Sequence, residues 1–450
     1  MKNIKIYSII ILIIMTSIVI IKTQASKTIN LDSSSISEYN NKEVAIYQEN
    51  DSGSYDLVST LPSKSNGYII NKSKTVCSNK AKIRWDNNTW SATISNFSVQ
   101  NTKCYLYFDK TSTPKITIKA TSNGSSIAFP SKTSGYIPNS ISCDYGVKAS
   151  FDYENWNVEV DVIKDTVCTV DFKSNINQSF ATYLTSSIVC SSTPTSDDAA
   201  KNCLVNESGY RYEGINPNNY VLFNNELWRI IGVFNINNSA GTAQNLVKII
   251  RDKNLEDLAF DSGNNNDWSN SSLKKQLNEG FYSRSTQNCN IQSTITKPCN
   301  FENKGLNTTA QNMVEEVKWN IGKYSNIEVK TSDMYNFEIA SNGPGKVGLM
   351  SASDYGYSVL NSSCDRETKL TDYAKTTCAG NSWLYQDGYQ RIINSNSNNE
   401  TNSAYIHNGG HINDDDSTEG YGVRPVVYLK STVKVLGGAG TSNLPYIITN

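Results

Sequence analysis

Asn219-Tyr220-Val221-Leu222-Phe223-Asn224-Asn225-Glu226-Leu227-Trp228-Arg229-Ile230-Ile231-Gly232-Val233-Phe234 is the densest apolar and aromatic stretch of the chain outside its N-terminus. Asn224-Asn225-Glu226 splits it into two strand-like runs, the pattern of a β-hairpin. The residues before this hairpin read as export signal and stalk. Those after it can pack onto it.

At 450 residues the chain is too long for one ordinary core, which favours two or three domains. Only 18% of residues are charged, yet the 26 Tyr, 12 Phe and 7 Trp do not fit the aromatic-poor, highly charged signature of disorder. A net charge of -1 gives no electrostatic footprint for nucleic acid, which is set aside as a partner.

Met1-Lys2-Asn3-Ile4-Lys5 is followed by an apolar run from Ile6 to Ile21, closed by Lys22. A basic head and a short apolar core read as a secretory signal, with Thr23-Gln24-Ala25 as the cleavage site. The run falls short of the roughly 20 residues that span a bilayer comfortably. Residues 1–25 are therefore a cleaved signal peptide or an uncleaved membrane anchor, and the bulk of the chain is expected outside the cytoplasm in both cases. The ten cysteines agree with export. They fall as neighbours, Cys77 and Cys104, Cys143 and Cys168, Cys190 and Cys203, Cys289 and Cys299, Cys364 and Cys378, and short loops close at the least entropic cost. Free buried thiols are the alternative. Zinc is the weaker reading, since no CxxC pair occurs.

Residues 37–173 repeat themselves. Leu61-Pro62-Ser63-Lys64, Gly67-Tyr68-Ile69, Cys77, Trp90 and Cys104 match Phe129-Pro130-Ser131-Lys132, Gly135-Tyr136-Ile137, Cys143, Trp156 and Cys168 in the same order. Strand-like alternation, as in Cys104-Tyr105-Leu106-Tyr107-Phe108, predicts two small all-β, sandwich-like modules over 37–109 and 110–173, each stapled by one bridge. No chemistry is legible in them. A polar linker over 173–178 then leads into 179–450, read as an α+β domain. Phe180, Leu184 and Ile188 predict a helix, as does Leu273 with Leu277 after a cap at Ser269 or Asn270 and before a stop at Gly280. Thr308-Thr309-Ala310-Gln311 has capping-box spacing, and Val314, Val317 and Ile321 continue it as a stripe. Lys346–Met350 and Val423–Leu429 read as strands, with Ser351-Ala352-Ser353-Asp354 opening a further turn of helix.

Tyr220-Val221-Leu222-Phe223 with Leu227–Gly232, then Trp268–Leu273 with Leu277-Asn278 and Phe281-Tyr282, then Lys346–Ser351, Trp383-Leu384 and Gly422–Val427 occur in an order that resembles the DUF6273 family of bacterial extracellular domains. The resemblance covers roughly residues 179–450. It implies a distant similarity to the formylglycine-generating-enzyme and C-type-lectin-like folds, through the Trp-rich middle and the closing Arg strand. A catalytic carry-over fails, because such enzymes need a reactive thiol and these cysteines read as local pairs. No GxSxG, HExxH or phosphate loop occurs.

The two histidines, His407 and His411, flank Asn408-Gly409-Gly410. They are weak candidates for a metal site with an Asp from 414 to 416; the competing reading is a hairpin whose turn they border. Asp414-Asp415-Asp416 offers oxygens for calcium in a lectin-like loop, without a full ligand set; otherwise no cofactor is expected. Trp268, Trp319 and Trp383 are assigned to the core. Tyr385 and Tyr389, with Asn408 and Asp414 to Asp416, are the candidate ligand-binding residues, available to stack on a sugar or a partner surface. The expectation is an exported cell-surface protein, secreted or held on the outer face of the membrane. Its C-terminal domain recognises a glycan or protein and does not catalyse. The alternatives are an enzyme related to the formylglycine-generating fold and a structural envelope component.

Overall fold

The computed structural model describes residues 27–31, 44–97, 102–110, 115–160, 165–293 and 295–450. The apolar run over 6–21 and its cleavage site lie outside them. Among the described residues no helix is long and apolar enough to cross a membrane. The chain divides into two compact units, Met1–Thr117, Cys143–Val147 and Val160–Cys168 in one, and Ile118–Ser142, Lys148–Glu159 and Thr169–Asn450 in the other.

The first unit is built on eight strands, Lys27–Leu31 (β1), Val44–Glu49 (β2), Tyr55–Val58 (β3), Tyr68–Ile70 (β4), Val76–Cys77 (β5), Lys82–Asp86 (β6), Ser91–Phe97 (β7) and Cys104–Lys110 (β8). One sheet runs β1-β7-β6 and the other β3-β2-β8-β4, with β5 also on β8. Alternation points Ala92 and Ile94 of β7 and Leu106 and Phe108 of β8 into one core shared by both sheets, and left-handed Asn96 breaks the pattern so that Phe97 joins them. Cys77 and Cys104 close it at a Cα separation of 4.1 Å.

The next strands are Ile116–Ser122 (β9), Ser125–Ile127 (β10), Tyr136–Cys143 (β11), Ala149–Asp152 (β12), Asn157–Val160 (β13) and Thr166–Ser174 (β14). Their order, β10-β9-β14-β11 beside the pair β12-β13, corresponds to β3-β2-β8-β4 beside β6-β7. Local geometry corresponds too. In each hairpin an aspartate carboxylate caps the loop, Asp86 accepting from Asn88 N at 2.8 Å and Asp152 from Glu154 N at 2.8 Å. Each loop ends on a tryptophan in the left-handed region, Trp90 at φ 49° and Trp156 at φ 54°. That conformation costs an L-residue about 1–2 kcal/mol. It is offset by the indole bond that each makes, Trp90 Nε1 to Pro62 O at 2.9 Å and Trp156 Nε1 to Pro130 O at 2.7 Å.

The segment expected as a polar linker is hydrogen-bonded along its length. Asn175 N donates to Gly135 O, Ile176 N to Leu436 O, and Gln178–Ser179 pairs antiparallel with Lys434–Gly437. Phe151, Val170 and Phe172 share a small core with Leu444.

The opening hairpin is the middle of the largest sheet. Tyr220–Phe223 (β15) pairs with Glu226–Asn237 (β16), Val221 facing Trp228. Asn224 and Asn225 carry φ of 59° and 60°, the double left-handed turn that matches strand twist. Ala243–Arg251 (β17) lies antiparallel to β16, and the register shifts at Gly232, where a Cβ would meet Tyr210 O at 2.1 Å. The chain then supplies Gln390–Ser395 (β18), Asn402–Ile406 (β19), Ile412–Asp416 (β20), Gly420–Gly422 (β21) and Val426–Leu429 (β22), and β22 pairs with β17.

The C-terminal residues are dominated by strands, and no described α-helix exceeds eight residues. Phe180–Ser187 (α1) forms as expected, burying Phe180 and Leu184. The helix after Trp268 starts one residue late, capped by Ser271 accepting from Lys274 N, and Gly280 sits inside its last turn against Phe301. The stripe over 314–321 is not helical. The helix Thr308–Met313 is capped by Asn307, then Val314–Glu315 pairs with β22 and Val317–Asn320 with Asn342–Gly345. Stiff, β-branched valines gain more from these sheet positions than from another helical turn. Thr331–Glu338 (α2) and Ala352–Tyr357 (α3) come next, α3 starting on the full capping box of Ser351 and Asp354. All ten cysteines are paired as neighbours in five disulfides, as an oxidising environment favours.

Candidate functional site

Strands β18 to β21 belong to a separate five-stranded sheet, ordered from Asp257–Ala259 through β21, β18 and β19 to β20. This sheet gathers the residues singled out after Trp383. Trp383 itself is buried, its Nε1 donating to Tyr212 O at 2.8 Å and its ring packed on the Arg229 guanidinium. Trp268 and Trp319 are buried as well.

The three aspartates lie on a strand and not in a loop. In β20, Asp414 sits opposite Ala404, Asp415 opposite Ser403 and Asp416 opposite Asn402. Successive strand side chains point to opposite faces. Asp414 therefore accepts from Tyr324 Oη at 3.0 Å and Asn396 Nδ2 at 2.8 Å on one side. Asp415 accepts from Tyr421 Oη at 3.2 Å on the other. Asp416 turns to Asn264 Nδ2 and Thr418 N. Each carboxylate has its own donors. Among the described residues no group of three or more His, Cys, Asp or Glu is gathered that could hold a metal ion.

His407 and His411 flank a hairpin turn. His407 N donates to His411 O and Gly410 N to His407 O, both at 2.8 Å. Their rings stack at 4.3 Å, nearly parallel at 20°. Burial, then repulsion from His407, holds the His411 imidazole below its ordinary pKa. Asn408 at the tip is exposed, and its carbonyl accepts from Tyr385 Oη at 2.5 Å.

From this hairpin a row of rings continues across the sheet. His407 meets Tyr389 edge-on at 5.0 Å; Tyr389 stacks on Tyr421 at 5.3 Å; Tyr421 lies 4.4 Å from Tyr405. Behind Tyr421, at 4.5 Å, is the Arg391 guanidinium, only 1% exposed. Arg391 donates to Ser403 Oγ and Glu419 O, while its Nε has no partner among the described residues. Burial brings its pKa down to about 10, and burial with the neighbouring Tyr405 and Asp415 pushes the Tyr421 phenol up. Tyr389 closes the row at the surface, 40% exposed. Asn413 and Asp415 are exposed beside it.

Flat π-faces edged by a carboxylate, an amide and imidazoles suit a ligand with one apolar face and hydroxyls at its rim. Of the residues named from sequence, Tyr389, His407, His411 and Asp415 belong to this row. Tyr385 and Asn408 brace its turn, and Asp414 and Asp416 face elsewhere. Arg391, Tyr405 and Tyr421 are not singled out by sequence. Asn402–Ile406 is buried along nearly its whole length and carries no alternation that marks Tyr405, whose approach to Tyr421 depends on strand pairing across the sheet.

Comparison with family models, with curated proteins and with solved structures finds no match.

Proposed function

We propose that this chain is an exported bacterial surface protein whose C-terminal residues bind a glycan without catalysis, through the row of Tyr389, Tyr421 and the His407/His411 hairpin. The single observation that carries the reading is the stacked, partly exposed aromatic row with Asp415 and Asn413 at its edge. Tyrosine rings offer a sugar's C–H face a large contact area at low conformational cost, and the rim supplies acceptors and donors for its hydroxyls. Five disulfides fit an oxidising exterior, where residues 1–25 would send or hold the chain.

Residues 37–109 and 110–173 are read as a duplication that carries this binding surface; their equal strand order and matching left-handed tryptophans support it. The order of the hairpin, the Trp268 segment and the closing Arg424 strand supports the same resemblance to DUF6273, and through it to C-type-lectin-like folds. An enzyme related to the formylglycine-generating fold would need a free thiolate, whereas all ten cysteines are in disulfides. A protein partner in place of a glycan, or a purely structural role in the envelope, would leave the aromatic row without a sugar.

A glycan array probed with the purified chain tests this. Retention on a subset of glycans, lost at least tenfold in Tyr389→Ala and weakened in Asp415→Ala, is the expected result. No retention, or retention unchanged in both variants, overturns it.

A further inference from the structure

Away from the aromatic row, β16, β17, Val317–Asn320 and β22 face α2 and the start of α3 across a cleft of about 170 Å³. At ~30 Å³ per water this is room for roughly five waters, or for one small organic molecule. Ser208 and Asn235 at its mouth are exposed, so it opens to solvent. Its floor holds four charged side chains that are almost wholly buried, Arg211, Lys248, Glu338 and Asp354.

The hydrogen bonds separate those that are occupied from those with capacity left. Asp354 accepts from Arg211 Nη1 at 2.9 Å, from Lys248 Nζ at 2.5 Å and from Ser351 N at 2.9 Å. Arg211 Nε and Nη2 donate to Glu207 O and Ser208 O, so with Asp354 three of its five N–H donors have partners among the described residues. Glu338 accepts from Ser353 N, Ser353 Oγ and Asn394 Nδ2. Lys248 differs. An ammonium has three donors, and its polar partners among the described residues are Asp354 and the Tyr428 hydroxyl, which leaves one donor. Around it stand the rings of Phe234, Trp319 and Tyr428, at 5.7, 5.6 and 5.5 Å. Lys248 is thus a buried cation with hydrogen-bonding capacity left, at the bottom of an aromatic-walled cleft.

We propose that this cleft binds a small organic carboxylate of about lactate size, its carboxylate on Lys248 and its carbon skeleton against Trp319, Phe234 and Tyr428. The charge balance agrees. Burial alone would raise the Asp354 carboxyl, but Lys248 and Arg211 outweigh it and bring it down to about 2. Glu338 moves the other way, pushed up by burial and by Asp354 against its Ser353 and Asn394 donors. The floor therefore carries two cations, the firmly ionised Asp354 carboxylate, and Glu338, whose ionised form burial disfavours. The site is independent of the aromatic row, and its failure would leave the glycan reading untouched.

The test is calorimetric titration of the purified, disulfide-intact chain with sodium lactate, and with glycerol as an uncharged molecule of similar size, at constant ionic strength. Saturable lactate binding is expected, at least tenfold tighter than glycerol. Lys248→Met should lose it. Because that change strands Asp354 and can prevent folding, Asn320→Trp, which fills the mouth and leaves the floor intact, should also lose it while melting near the parent. Absence of saturable lactate binding, equal binding of glycerol, or unchanged binding in Asn320→Trp overturns the proposal.

Discussion

At Asp354 one carboxylate joins three parts of the chain. It completes the capping box of α3, and it takes hydrogen bonds from Arg211 and Lys248, which lie 143 and 106 residues away. Removing one partner of a buried pair leaves the others uncompensated, at a cost of about 3–5 kcal/mol. Asp354→Asn should lower stability by about that much, read as a shift in the urea midpoint near neutral pH. The pH dependence has a definite sign. The folded-state pKa, about 2, lies below the ordinary value of 3.8, so this contribution is complete above 3.8 and is lost as pH falls toward 2. The variant should therefore lose the part of the acid-induced decline that falls in this window; an unchanged acid profile would mean the carboxylate is not what titrates. Ser351 and Asp354 are legible as a helix start because the capping signal spans three residues. Arg211 and Lys248 are not, because nothing local in either strand announces a partner on a distant helix.

The hairpin around Asn224 and Asn225 shows what short-range chemistry can specify. Both residues are left-handed, and asparagine tolerates that better than any residue but glycine. Asn225 is exposed, so Asn225→Ala should cost about 1 kcal/mol while Asn225→Gly is near neutral, measured as the difference in urea midpoints. Equal loss in both variants would assign the effect to the side chain and not to the backbone. Asn224 is different, because its amide also donates to Gly305 O and accepts from Asn307 N, the cap of the next helix. Phe180–Ser187 is legible from its spacing, and the buried tryptophans from size alone. The segment 314–320 misleads because valines three residues apart fit a helical stripe, and the strands they pair with lie far along the chain. The aspartates mislead for a related reason: three adjacent carboxylates look like a polar loop until β19 pairs with them and sends them to alternate faces.

For the molecule as a whole, the neighbouring order of the cysteines is the most direct information the sequence carries, since all five pairs form. The boundary expected near 173 is less legible, because residues 175–179 spend their backbone groups on distant partners, Gly135 and the strand at 434–437. Polar composition alone cannot distinguish such a docked segment from a free linker. The candidate surface is a property at this scale, since Tyr389, Tyr405, His407 and Tyr421 come from different strands and turns of one sheet. Its most direct test is saturation-transfer NMR with an oligosaccharide retained on the array, irradiating the protein's aromatic protons. Transfer concentrated on one C–H face of a sugar ring, and lost in Tyr389→Ala, is the expected outcome. An array that retains nothing, transfer spread evenly over the sugar, or transfer unchanged in Tyr389→Ala would contradict a glycan seated on this row.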